Sequence, residues 1–95
     1  MKNITEYQLH AAKTIPPDKT YDEREDFYIR KLATEVLEIQ AELLGKNYTK
    51  ANVVSELGDA LRCIVQLATL NNIKMEKILD HNIKKMDKRL KNNLI

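Results

Sequence analysis

The chain has 95 residues, which fits one domain spanning 1–95 and little more. Charged residues make up 32% and the net charge is +2, so no strong field points at nucleic acid or a membrane surface. Nucleic acid is therefore not expected as a partner, although lysines gather between Lys74 and Lys91.

The first ten residues, MKNITEYQLH, hold no apolar core of a signal peptide. The longest nearly apolar run, CIVQLATL, is too short to span a bilayer. The single cysteine, Cys63, forms no intrachain disulfide, and together these features favour a cytoplasmic setting. Its mid-helix position with no activating neighbour predicts core packing.

Asn3-Ile4-Thr5-Glu6 predicts a capping-box-like start for a short helix ending near Lys13, before Ile15-Pro16-Pro17. Asp22 is the expected N-cap of a second helix, with Glu25 at the box position. That helix reaches about Leu44, where Gly45 is expected as a left-handed C-cap. Thr49 caps a third helix to about Leu70, and Asn71-Asn72 breaks it because Asn tolerates the left-handed region. A fourth runs from about Lys74 to Leu90. No segment alternates for long enough to form a strand. The expectation is all-α: a short leading helix plus three long ones.

Projected at 100° per residue, the second helix carries an apolar stripe of Leu32, Val36, Ile39 and Leu43. Glu35, Glu38 and Glu42 cluster on one flank with Lys31. The third helix has an apolar arc of Val53, Leu57, Ala60, Leu61, Ile64, Leu67 and Ala68, with Ser55, Arg62, Gln66 and Thr69 roughly opposite. Glu56 borders that arc and Asp59 lies about 60° further round. A half-buried carboxylate needs a partner, because desolvating it alone forces protonation. Glu35/Glu38 and Glu56/Asp59 are each i, i+3 pairs, so each can aim at one point and each repels itself. A solvated face with salt bridges explains one such pair; two on consecutive helices point to a cation between them.

In the fourth helix Met75, Ile78, Leu79, Met86 and Leu90 define the stripe, with Asn82 near its centre and Lys85 and Arg89 along its flank. A buried amide must be hydrogen-bonded, so Asn82 either fixes helix register or joins a line that holds phosphate oxygens. Carboxylates recruit Mg²⁺, a hard cation that shares itself with phosphates. The combined features indicate a nucleoside triphosphate or another diphosphate-containing ligand, and metal-assisted hydrolysis of a phosphoanhydride. No phosphate-binding glycine loop of the GxxxxGK[ST] or GxGxxG type occurs.

These residues resemble the MazG-like all-α nucleoside triphosphate pyrophosphohydrolases. Glu35-Val36-Leu37-Glu38 and Glu56-Leu57-Gly58-Asp59 are similar to the family's EExxE and ExxD motifs, with positions 39–55 between them. Asn82 to Arg89 resembles its N-x-x-K-x-x-x-R segment, and Tyr7-Gln8 with Ala11 and Thr14 is similar to the opening of small phage and bacterial members. Thr34 departs from the pattern, standing where the first Glu of EExxE is usual. Leu37 replaces a common Gly, and Cys63 a frequent aromatic.

The resemblance implies an antiparallel helix bundle completed by dimerisation, as a homodimer or tetramer. It implies conversion of a (d)NTP and water to (d)NMP and pyrophosphate, for nucleotide-pool housekeeping. Glu35, Glu38, Glu56 and Asp59 would be catalytic ligands of Mg²⁺, with Mn²⁺ a possible substitute. Asn82, Lys85, Arg89 and Lys31 would contact the substrate. Lys46 could also reach phosphate, and Glu42 could join the metal shell, although pairing of Glu42 with Lys46 at i, i+4 is the favoured reading. His10 and His81 are read as surface residues. The alternative is a non-catalytic helical dimer that binds a nucleotide or a protein partner, motivated by Thr34.

Overall fold

In the computed structural model, which describes residues 3–45 and 48–93, four helices account for the regular structure. They are α1 (Ile4–Ala12), α2 (Tyr21–Leu44), α3 (Lys50–Leu70) and α4 (Met75–Lys91). There is no strand among the described residues. No helix among them is long and apolar enough to cross a membrane.

The caps explain most boundaries. Asn3 Oδ1 accepts from the Glu6 N–H at 2.9 Å, satisfying one free donor of α1. α2 begins earlier than expected: Thr20, not Asp22, is its N-cap, and Glu23, not Glu25, closes the capping box. Thr20 N donates to Glu23 Oε1 at 2.9 Å and Glu23 N to Thr20 Oγ1 at 3.2 Å. Thr-x-x-Glu and Asp-x-x-Glu overlap here, and the hydroxyl won by starting the helix two residues sooner. Gly45 ends α2 in extended geometry, φ −71° and ψ 149°, rather than in the left-handed region. Thr49 caps α3 as expected, and Asn72 supplies the left-handed residue after it, at φ 57°.

α2 and α3 form a long antiparallel hairpin, with α1 packed on α3 and the start of α4 against α1. The small apolar core joins Ala11, Val65, Ala68 and Met75, flanked by Ile4, Tyr7 and Ile78. Gln8 ties three elements together: its Nε2 donates to Thr69 Oγ1 and Ile73 O, and its Oε1 accepts from Met75 N.

The helix faces differ from their projections. Gln66, expected on the polar side of α3, is fully buried because α1 lies over it. Its Nε2 donates to Ala11 O at 2.7 Å and Thr14 Oγ1 at 3.0 Å. Arg62 reaches the same Thr14 hydroxyl. Conversely Leu57, Leu61 and Ile64 on α3 are exposed, as are Val36 and Leu43 on α2. Beyond Ile78, every residue of α4 is exposed, including Leu79, Met86, Leu90 and Asn82. Asn82 is therefore not a buried register residue within one chain.

The accessible surface is 7639 Å², whereas a folded monomer of 11.0 kDa exposes about 5,600 Å². The radius of gyration, 15.5 Å, likewise exceeds the roughly 12 Å of a compact chain of this length. The hairpin and α4 leave an unusually large apolar surface uncovered.

Replacing Gln66 by Ala removes both bonds to the α1 end and leaves a cavity. A loss of about 2–4 kcal/mol is expected, read by urea denaturation of the purified protein.

Candidate active site

The α2–α3 hairpin sets the site by its register. Near the connecting loop, Asn52 Nδ2 donates to Glu42 Oε1 at 3.2 Å. Stepping equally away from the loop along both helices places Glu38 opposite Glu56, then Glu35 opposite Asp59, then Lys31 opposite Cys63. This register sets the two acidic pairs at the same level on facing helices.

Glu35 is buried at 4% exposure. Lys31 Nζ stands 3.4 Å from its Oε1, an i, i+4 contact. Its other oxygen, Oε2, is buried with no hydrogen-bond partner, and so is Glu56 Oε2. Two orphaned carboxylate oxygens in one small interface are costly unless something neutralises them. Desolvation pushes the Glu56 carboxyl above its ordinary range, and Glu42, Glu38, Glu35 and Asp59 push it the same way. Among the described residues, no cation is one of the groups acting on Glu56. Glu38 and Asp59 are exposed at the edge.

These oxygens fit a hard divalent cation, which takes carboxylate oxygens and removes their mutual repulsion. Among the described residues, no three His, Cys, Asp or Glu side chains already stand close enough together to hold a metal ion. The fit rests on the two buried, partnerless oxygens and on the donor chemistry.

Glu42 is a participant that sequence reasoning set aside in favour of Lys46, which lies outside the described residues. The hairpin register is the signal that finds it, since Glu42 follows Glu38 by one turn on the same face. Cys63 is fully buried, and its thiol is pushed up by burial. That fits the packing role expected of it. Thr34 turns its hydroxyl back to Arg30 O at 3.1 Å. His10 and His81 are both exposed.

The basic residues divide into two groups. Lys31 stands beside Glu35 as expected. Asn82, Lys85 and Arg89 do not join the acids within one chain; all three are exposed and make no hydrogen bond or ion pair among the described residues. The reason is that α4 leans on α1 rather than along the hairpin.

The raised Glu56 has a thermodynamic consequence. The folded metal-free protein holds this proton more tightly than the unfolded chain, whose carboxyl titrates near 4.5. The resulting stability is present below that value and lost as pH rises through the folded-state pKa. Glu56→Gln removes the burden, so in EDTA the variant should melt above the parent at neutral pH. The gap should close towards acid pH, as followed by circular dichroism.

A sequence model of the MazG nucleotide pyrophosphohydrolase domain matches residues 23–94, which takes in α2 but for its first two residues, α3, α4 and Glu35, Glu38, Glu42, Glu56 and Asp59. No curated protein and no solved structure matches the chain. With the family match covering most of the sequence and both acidic motifs inside it, the chain belongs to the MazG nucleotide pyrophosphohydrolase family.

Proposed function

We propose that the protein is a Mg²⁺-dependent nucleoside triphosphate pyrophosphohydrolase of the cytoplasm. It converts a (d)NTP and water to (d)NMP and pyrophosphate, in the service of nucleotide-pool housekeeping. The observation that carries this reading is the pair of buried, unpartnered oxygens on Glu35 and Glu56. Glu35, Glu38, Glu56 and Asp59 would hold the ion, and Mn²⁺ should substitute. The ion would supply charge neutralisation on the phosphoanhydride and a lowered pKa for the attacking water. The chain's own groups do the rest. The carboxylates fix the reacting geometry, one of them accepts a hydrogen bond from the water, and Lys31 holds Glu35 and faces phosphate charge.

The uncovered surface belongs to the same reading. Its excess over a compact monomer is on the order of 2,000 Å² per chain, the scale of an obligate homodimer interface. A homodimer or tetramer would cover Leu57, Leu61 and Ile64 on α3 and the stripe on α4. It would also bring Asn82, Lys85 and Arg89 to a site that one chain does not let them reach.

The absence of three carboxylates already gathered at liganding distance, with Thr34 in place of an acid, favours a second reading. In it the protein is a non-catalytic dimer that binds a nucleotide or a protein. Product analysis separates the two. Incubation with a panel of triphosphates should release monophosphate and pyrophosphate with Mg²⁺ and nothing with EDTA. Glu38→Gln and Glu56→Gln should each lower kcat by about 100-fold or more. Mg²⁺ should raise the Tm of the parent and not of Glu56→Gln. Thermal stabilisation by nucleotide without turnover would establish the binding module instead.

Sedimentation should return a mass of at least twice 11.0 kDa. Leu61→Glu, which places a charge on the uncovered α3 face, should shift the mass towards the monomer.

A further inference from the structure

A groove of about 630 Å³ runs along the N-terminal half of α2, against Pro16. Its walls include four cationic side chains, Lys19, Arg24, Arg30 and Lys31, together with Phe27 and Thr34. Phe27, Lys31, Thr34 and Glu38 recur at i, i+4, i+7 and i+11, so one face of α2 carries the groove floor directly to the acid cluster. Lys31 lies about 10 Å along the helix from Glu38. The groove and the acids are therefore one continuous surface, cationic at one end and anionic at the other.

The acids offset the four lining cations only in part. Glu23 is committed to the α2 capping box. Asp26 is taken by Arg30 in an exposed ion pair at 2.9 Å. Lys31 is engaged with Glu35. Lys19 makes no ion pair, and the Arg24 Nε–H is buried without a partner among the described residues. A buried guanidinium N–H left unmade is costly, and phosphate oxygens are its strongest natural acceptors. A neutral nucleoside has no use for four cations; a fragment bearing several negative charges does.

We propose that this groove seats the departing pyrophosphate, the β- and γ-phosphates of the substrate, through Lys19, Arg24, Arg30 and Lys31. The proposal rests on the pyrophosphohydrolase reading above. It places the nucleoside on the opposite side of the acid cluster from the groove. The chain then holds the triphosphate along α2, with the α–β bond beside the carboxylates and the charge of the leaving group spread over the cations.

The test is product inhibition, with inorganic pyrophosphate and the nucleoside monophosphate measured separately on the Mg²⁺-loaded protein. Two variants serve: Arg24→Gln, and the double variant Lys19→Gln/Arg30→Gln. The double variant alters only exposed side chains on the lip, so its fold is not at risk. Both should weaken pyrophosphate inhibition at least 10-fold and leave monophosphate inhibition within 2-fold of the parent. Unchanged pyrophosphate inhibition in the double variant, or weakening of monophosphate inhibition instead, would overturn the assignment. Failure of the parent reading looks different, because turnover would then be absent in the unsubstituted protein or survive Glu56→Gln. Direct calorimetric titration with pyrophosphate still reads the groove in that case: loss of heat in the double variant supports it, and equal binding by both proteins sinks it.

Discussion

Carboxylates facing one another across the α2–α3 hairpin are the constraint on which the rest of the molecule depends. Glu38 and Glu56 stand in register, with Glu35, Glu42 and Asp59 around them, and no cation among the described residues offsets Glu56. An interface between two long helices is normally the driest and most apolar surface a small protein has. Here it holds like charges, and the burial that should stabilise the hairpin instead raises the carboxyl pKa of Glu56. A protein that keeps such an arrangement gives up stability in its metal-free form for a place to bind positive charge.

The displaced apolar residues explain the open shape. Because acids occupy the α2–α3 seam, Val36, Leu57, Leu61 and Ile64 are turned outwards. The remaining core, built on Ala11, Val65, Ala68 and Met75, is small and sits at the far end, where α1 bridges α3 and α4. Polar anchors supplement it: Gln66 against the end of α1, and Gln8 spanning the turn between α3 and α4. Such anchors fix geometry more than they add stability, since a net hydrogen bond contributes about 1 kcal/mol. The site and the uncovered surface are thus two consequences of one choice of helix face.

Charge is distributed along α2 with similar economy. Its second half carries the acid cluster, with Glu35 buried, and its first half sets Arg24, Arg30 and Lys31 along an open groove. Thr34 sits at the junction, its hydroxyl returned to the helix backbone, so the position that would carry a further acid is neutral. A triphosphate presents a complementary sequence of groups, with metal-bound oxygens at one point and free negative charge beyond it. On the proposed reading, the same helix would hold the ion and face the charge that leaves.

Much of this was legible in the residues. Four helices and nearly all their limits follow from caps and breakers that act over three or four residues: Asn3, Thr49, Pro16-Pro17 and Asn72. The acidic pairs at i, i+3 are equally local, and their place on neighbouring helices is what motivates the proposed cation. Faces were less legible, because a projection tells which residues share a side and not what covers that side. Gln66 reads as solvated until α1 is laid across it, and Leu61 reads as core until no element arrives to cover it. The N-cap of α2 turned on two overlapping local motifs, and the Thr20–Glu23 capping box prevailed over Asp22 and Glu25. Local hydrogen bonding and periodicity determined the elements and the chemistry they carry. The tertiary structure alone decided which faces meet, because that outcome depends on every helix at once.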